Sequence, residues 1–287
     1  MTAGCPWHPA VVVSGLRSPD TMAITSSRSV RRPRPLILGA TGVAIFLLTW
    51  QAAPAIGLVD DRYFPNATST LSQLGKDVLT GDLWADIGIT MRSWLVGLTI
   101  ATLAAVILGT VIGLVPILRR ATHTVVEFLR PIPSVALIPL AILLYGYQMQ
   151  AALIIIVYAS FWQVFVQVLY GVADVDAVAR DTARSFGLSR MSRFRSLVFP
   201  TALPYLMTGI RLAATVALIL AITAEMFIGN PGIGRSIVFA QSGAKYVEVY
   251  ALVIVTGLLG LLVNMVFRSI ERYVLRWHES VRGEEAS

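Results

Sequence analysis

The chain has 287 residues, of which 56% are hydrophobic and only 14% charged, with a mean hydropathy of +0.72. So few charges cannot cover a water-exposed surface, where about 25% is usual, and this much apolar material excludes disorder. A net charge of +7 in such a chain reports orientation in a bilayer rather than nucleic-acid binding, and the single Cys5 excludes an internal disulfide and a Cys-built metal site.

A spanning helix needs roughly 20 apolar residues to cross a hydrocarbon core about 30 Å thick. In chain order, segment 1–34 carries Arg17, Arg28, Arg31, Arg32 and Arg34 and reads as an unstructured cytoplasmic extension, with Met22 as an alternative start. Uncharged runs follow at 35–59, 93–118, 131–173 and 249–267. The third is too long for one helix. Tyr145-Gly146-Tyr147-Gln148-Met149-Gln150 divides it, giving spans at 133–145, extendable back to Val126, and 150–170. Another span lies at 205–227 and contains Arg211 and Glu225. The expectation is an all-α polytopic membrane protein with six spans over 35–273 and a cytoplasmic tail at 274–287.

Loop charges support that count. The loop at 60–92 is acidic on balance, Arg119, Arg120 and Arg130 follow the second span, and the Gly146 turn has no charge. Arg180, Arg184, Arg190, Arg193 and Arg195 sit between spans four and five, and Arg268, Arg272, Arg276 and Arg282 follow the last. Basic loops alternate with poor ones, which places both termini in the cytoplasm. The first apolar run, ending at Ala53-Pro54-Ala55, also has the outline of a signal peptide, but it is long for a signal core and reads as a retained helix.

The pattern breaks most informatively at 174–204. Val175, Val178, Ala179, Thr182, Ala183 and Phe186 share one helical face, opposite Arg180, Asp181 and Arg184. Gly187 supplies a helix stop, 190–198 reads as a second short helix, and Pro200 and Pro204 mark the start of span five. From charge alone this is a solvated basic loop; as an amphipathic elbow it needs a partner protein to cover its apolar side.

Asp181-Thr182-Ala183, then Gly187, then Leu197-x-Phe199-Pro200 resembles, at every spacing, the EAA signature of permease subunits of bacterial ATP-binding cassette importers. Asp181, Thr182, Leu197 and Phe199 depart from the consensus residues, whereas Gly187 and Pro200 keep them. Leu83-Trp84, Met91-Arg92, Arg130-Pro131-Ile132-Pro133, Thr208-Gly209-Ile210-Arg211, Ala224-Glu225-Met226 and Gly232-Ile233-Gly234 look like the nitrate/sulfonate/taurine branch, and the likeness covers 82–277. The resemblance implies a type I importer permease fold in the plasma (inner) membrane, with cytoplasmic coupling helices. It implies that Asp181, Ala183, Arg184, Gly187, Pro200 and Pro204 lie at the contact with the ATPase. The implied partners are two ATPase subunits that bind the ATP and Mg, an extracytoplasmic solute-binding protein and a second permease copy in the lipid bilayer. No cofactor and no catalytic residue is expected on this chain, and no nucleic acid as partner. The implied solute is small and polar or anionic, such as nitrate, an alkanesulfonate or taurine; related permeases carry pyrimidine vitamin precursors or riboflavin. An ion-gradient carrier is the alternative class, predicting ionisable groups at mid-membrane and internal repeats.

Four further residues are candidates for the pathway or its gate: Arg211, Glu225, Tyr145 and Trp162. Charges inside a span cost roughly 2.5–3.5 kcal/mol each, so Arg211 and Glu225 face protein or water, or snorkel to an interface. Aromatic residues at such spacing serve equally as packing. Gly229-Asn230-Pro231-Gly232-Ile233-Gly234-Arg235-Ser236 approaches a phosphate-binding loop, but it has Arg for Lys and no preceding strand, and it reads as an extracytoplasmic turn.

Overall fold

The computed structural model describes residues 35–276. The expected N-terminal extension at 1–34 and the tail from 277 onward lie outside the described residues. Among those described the structure is helical, with no strand. The chain divides into two units between Phe46 and Leu47, within α1 (Pro35–Ala55). In the first unit Ile37, Leu38, Val43, Ile45 and Phe46 are all exposed, as suits a lipid-facing helix.

In the second unit, Trp50 near the end of α1 donates to the Pro65 carbonyl at 3.0 Å and meets the rings of Phe64 and Tyr250. The loop expected over 60–92 contains α2 (Ala67–Val78), capped by Asn66, whose Oδ1 accepts from the Ser69 N–H. α3 (Gly81–Leu114) begins a dozen residues before the apolar run, passing through Asp82, Asp86 and Arg92. Hydropathy marks the part of a helix immersed in lipid, not the part that projects beyond it.

The core is built by α3, α6 (Met149–Ala173) and α9 (Phe199–Ile228). Glycines let them approach closely. A Cβ at Gly97 would meet Ile156 Cγ2 at 2.5 Å, one at Gly109 would meet Val168 Cγ1 at 2.9 Å, and one at Gly113 would meet Val172 Cγ1 at 3.0 Å. The sequence offset is the same at all three contacts, so α3 and α6 run parallel. Gly171 abuts Ala202 and Tyr205, whereas Gly209 abuts Val164 and Gln167, so α9 runs antiparallel to α6. This is the small-residue packing of membrane helices, where apolar burial alone gives no advantage over lipid.

The third span differs from expectation. Among the described residues five helices are long and apolar enough to cross a membrane, and a sixth crossing exists only if a bent pair is counted as one. That pair is α4 (Pro116–Leu129) followed by a 3-10 turn (Ser134–Leu137) and α5 (Ile138–Tyr145), bent by 83°. α5 alone is too short to span. The break falls at Pro131 and Pro133, which lack the N–H groups a continuing helix needs.

Its depth follows from one hydrogen bond. Tyr158 donates to the Leu129 carbonyl at 2.5 Å, and Tyr158 lies on α6 about 14 Å from its N-terminal end and about 22 Å from its C-terminal end at 1.5 Å per residue. α4 starts beside that C-terminal end and rises about 21 Å over its own length. The break therefore sits near the middle of the bundle, and Arg130, expected among the loop charges, stands there instead.

α7 (Ala177–Ser185) ends in a turn, after which α8 (Arg190–Arg193) and a π-helical turn (Phe194–Val198) lead without interruption into α9. The Phe199 N–H bonds to the Phe194 carbonyl in the wider π register just before Pro200, which then needs no donor in the first turn of α9. Pro200 and Pro204, expected at the start of span five, thus lie inside one rod, Arg190–Ile228. α10 (Ile233–Ser242) and α11 (Tyr246–Val274) complete the bundle.

Candidate functional site

At the end of the bundle holding the C-termini of α3 and α6, the segment 174–198 forms a fixed elbow. Asp176 Oδ1 caps α7 by accepting the Val178 N–H at 2.8 Å. At the other end the Leu188 N–H bonds to the Ala183 carbonyl and the Gly187 N–H to the Arg184 carbonyl, with Gly187 at φ +72°. These two bonds make a Schellman cap, which requires the left-handed conformation that glycine adopts freely. Ser189 then caps α8, accepting from the Ser192 N–H at 3.2 Å. The Tyr205 hydroxyl on α9 donates to Asp174 at 3.0 Å and pins the start of the elbow to the rod.

The expected apolar face is split. Val175 is buried against the bundle, whereas Val178, Phe186 and Met191 are 72%, 79% and 66% exposed. Asp181 and Arg184 form an exposed pair at 3.7 Å, and Ala183 is half-buried. Three apolar side chains held out on a capped elbow are a surface shaped for another protein.

The four pathway candidates do not form one site. Trp162 is buried among Tyr158, Phe161 and Phe165. Tyr145 ends α5 and is 45% exposed. Arg211 does not snorkel alone; its Nη1 lies 3.1 Å from Glu271 Oε2 on α11. Glu271 went unnoticed among the arginines that follow the last span.

Glu225 is buried where α3, α9 and α10 meet. Its Oε2 accepts the Thr90 hydroxyl and the Gly234 N–H, each at 3.0 Å, while Thr90 Oγ1 accepts the Ile233 N–H at 3.1 Å. Ser236 on α10 donates to Asp86, one turn before Thr90 on α3. Gly232, at φ +141°, lies so close to this carboxyl group that any Cβ there would overlap it. The phosphate-loop likeness thus has a physical basis. Glycines and a helix N-terminus do surround an acidic group, and that group is the chain's own Glu225. The i, i+4 placement of Asp86 and Thr90 was the available sequence signal for its partners.

Arg130 is exposed at the break in the third span, and its side chain has no hydrogen bond or ion pair among the described residues. Among the described residues no group of three or more His, Cys, Asp or Glu side chains could hold a metal ion.

Solved structures share this fold. A chain of the MetNI methionine ABC transporter aligns over 67% of this chain and 96% of its own at 18% identity with a TM-score of 0.56. A chain of an amino acid ABC transporter aligns over 71% and 98% at 18% identity with a TM-score of 0.58. Among curated proteins, the aliphatic sulfonates transport permease protein SsuC of Escherichia coli (strain K12) is 29% identical over 93% of this chain and all of its own length. The taurine transport system permease protein TauC of the same strain is 25% identical over 87% of this chain and 92% of its own. The nitrate import permease protein NrtB of Leptolyngbya laminosa is 27% identical over 85% and 94%. Residues 97–278, well over half the chain, match the binding-protein-dependent transport system inner membrane components, and the chain belongs to that family of non-catalytic ABC importer permeases.

Proposed function

We propose that this chain forms half of the translocation pathway of an ATP-driven importer for a small anionic solute of the sulfonate, taurine or nitrate class, working as a homodimer with two ATPase subunits. The elbow at 174–198 is its cytoplasmic coupling element, both termini are cytoplasmic, and α10 lies on the face that meets a solute-binding protein. ATP and Mg belong to the partner ATPase. The observation that carries the reading is the exposed trio Val178, Phe186 and Met191 on an elbow that continues rigidly into α9. A pull or push on that elbow moves a rod about 58 Å long as one body. Closure of the ATPase pair would therefore tilt α9 and switch the pathway between its two faces. The solute class rests on the names of the relatives, which span sulfonates, taurine and nitrate.

Purification of the membrane complex tests the coupling surface. Replacing both Phe186 and Met191 with Ala should cut copurification of the ATPase by about tenfold or more, as interface anchors of this kind cost over 1 kcal/mol each. Gly187→Val should act alike, since the left-handed backbone would be strained by roughly 1–3 kcal/mol. Full recovery of the ATPase with both variants would refute the assignment.

A further inference from the structure

Within a membrane bundle, a cation at mid-depth has to meet protein, water or a ligand. Several other arginines have a partner in this structure. Arg211 is paired with Glu271, Arg184 lies beside Asp181, Arg180 reaches the Val175 carbonyl, and Arg235 lies over the Phe239 ring. Arg130 has none of these. It is held at the depth fixed by the Tyr158–Leu129 bond, where, alone among the described residues, a spanning segment is broken and bent by 83°. Non-helical backbone at membrane depth persists only when buried in protein or lining an aqueous cavity, and the exposure of Pro131, Pro133 and Arg130 excludes burial within this chain.

We propose that Arg130 is the solute-binding cation of this permease, receiving the sulfonate or nitrate group of the anion at the break in the third span. The guanidinium fork matches a planar or tetrahedral oxoanion with two parallel N–H···O bonds, a geometry that lysine lacks and that a neutral side chain cannot replace. The proposal rests on the anionic solute class inferred above. It adds what that class does not specify: which residue recognises the charge, and at what depth.

The test uses the complete transporter, with its ATPase and binding protein, reconstituted in vesicles and supplied with labelled ethanesulfonate or nitrate. Uptake of neither probe by the wild type would remove the anionic class and this proposal with it. If the wild type transports one of them, Arg130→Gln should lower uptake at least about tenfold, the scale of a lost charge-assisted hydrogen bond, while Arg130→Lys, which keeps the charge but not the fork, falls between the two. In a Cys5→Ser background, Arg130→Cys should be inactive, regain uptake on reaction with an aminoethyl methanethiosulfonate, and stay inactive with its sulfonatoethyl counterpart. Such sign-dependent rescue would not follow from a merely structural role. Wild-type uptake by Arg130→Gln, loss of uptake in Arg130→Lys equal to that in Arg130→Gln, or an equal response to the two reagents would overturn the assignment and leave the anionic class standing.

Discussion

Arg211 and Glu225 stand on the same helix, and each meets its partner on a different one. The Arg211–Glu271 pair joins α9 to α11 with the arginine side chain 35% exposed and the glutamate 16% exposed. Breaking a fully buried pair costs 3–5 kcal/mol, and this partly solvated one should cost about 1–3 kcal/mol. Arg211→Glu should therefore lower thermal stability in detergent, and adding Glu271→Arg should recover much of the loss; a double variant no better than the single one would show that the charges do not interact. At Glu225 the expected effect is local. Glu225→Ala leaves the Gly234 N–H and the Thr90 hydroxyl without their acceptor, at roughly 1–3 kcal/mol for each buried group. Hydrogen exchange at Ile233 and Gly234 should accelerate in that variant and change little in Glu225→Gln, whose amide oxygen can still accept. Unchanged exchange in Glu225→Ala would mean that α10 is held by its apolar contacts alone.

The helices owe their arrangement to small residues as much as to large ones. Gly109 and Gly113, placed one turn apart in the apolar run, supply a close helix contact against Val168 and Val172. The partner and its parallel direction emerge only in the folded bundle. Gly97 is the tightest of the three positions toward α6, so Gly97→Ala should destabilise by about 1–3 kcal/mol through overpacking. Ile156→Ala, which removes the opposing atoms, should restore part of that stability when combined with it, as a thermal melt of the detergent-solubilised protein would reveal. The outline of the elbow was legible, because its determinants are local: a 3.6-residue periodicity and Gly187 where the helix has to end. The structure adds how the elbow continues into α9. Two prolines ordinarily suggest an interruption, yet a π turn accommodates Pro200, and the rod continues.

Across the whole chain, hydropathy identified a membrane protein and located most of its spans, since each spanning helix satisfies its backbone internally and needs only enough apolar length. The bend in the third span was invisible for the same reason. Hydropathy registers how apolar a stretch is and is blind to direction, so an 83° bend at Pro131–Pro133 reads as uninterrupted span, and the helix leading into it, with Arg119, Arg120, His123 and Glu127, reads as loop. Composition and short-range spacing were enough to determine the class, the helical architecture and the elbow at 174–198, because those properties depend on residues within a few positions of one another. Only the tertiary structure decided that Arg211 meets Glu271, that Glu225 fills the glycine-rich turn, and that Arg130 stands at mid-depth. Those placements depend on which helices become neighbours and at what height, and that outcome belongs to the packed bundle as a whole.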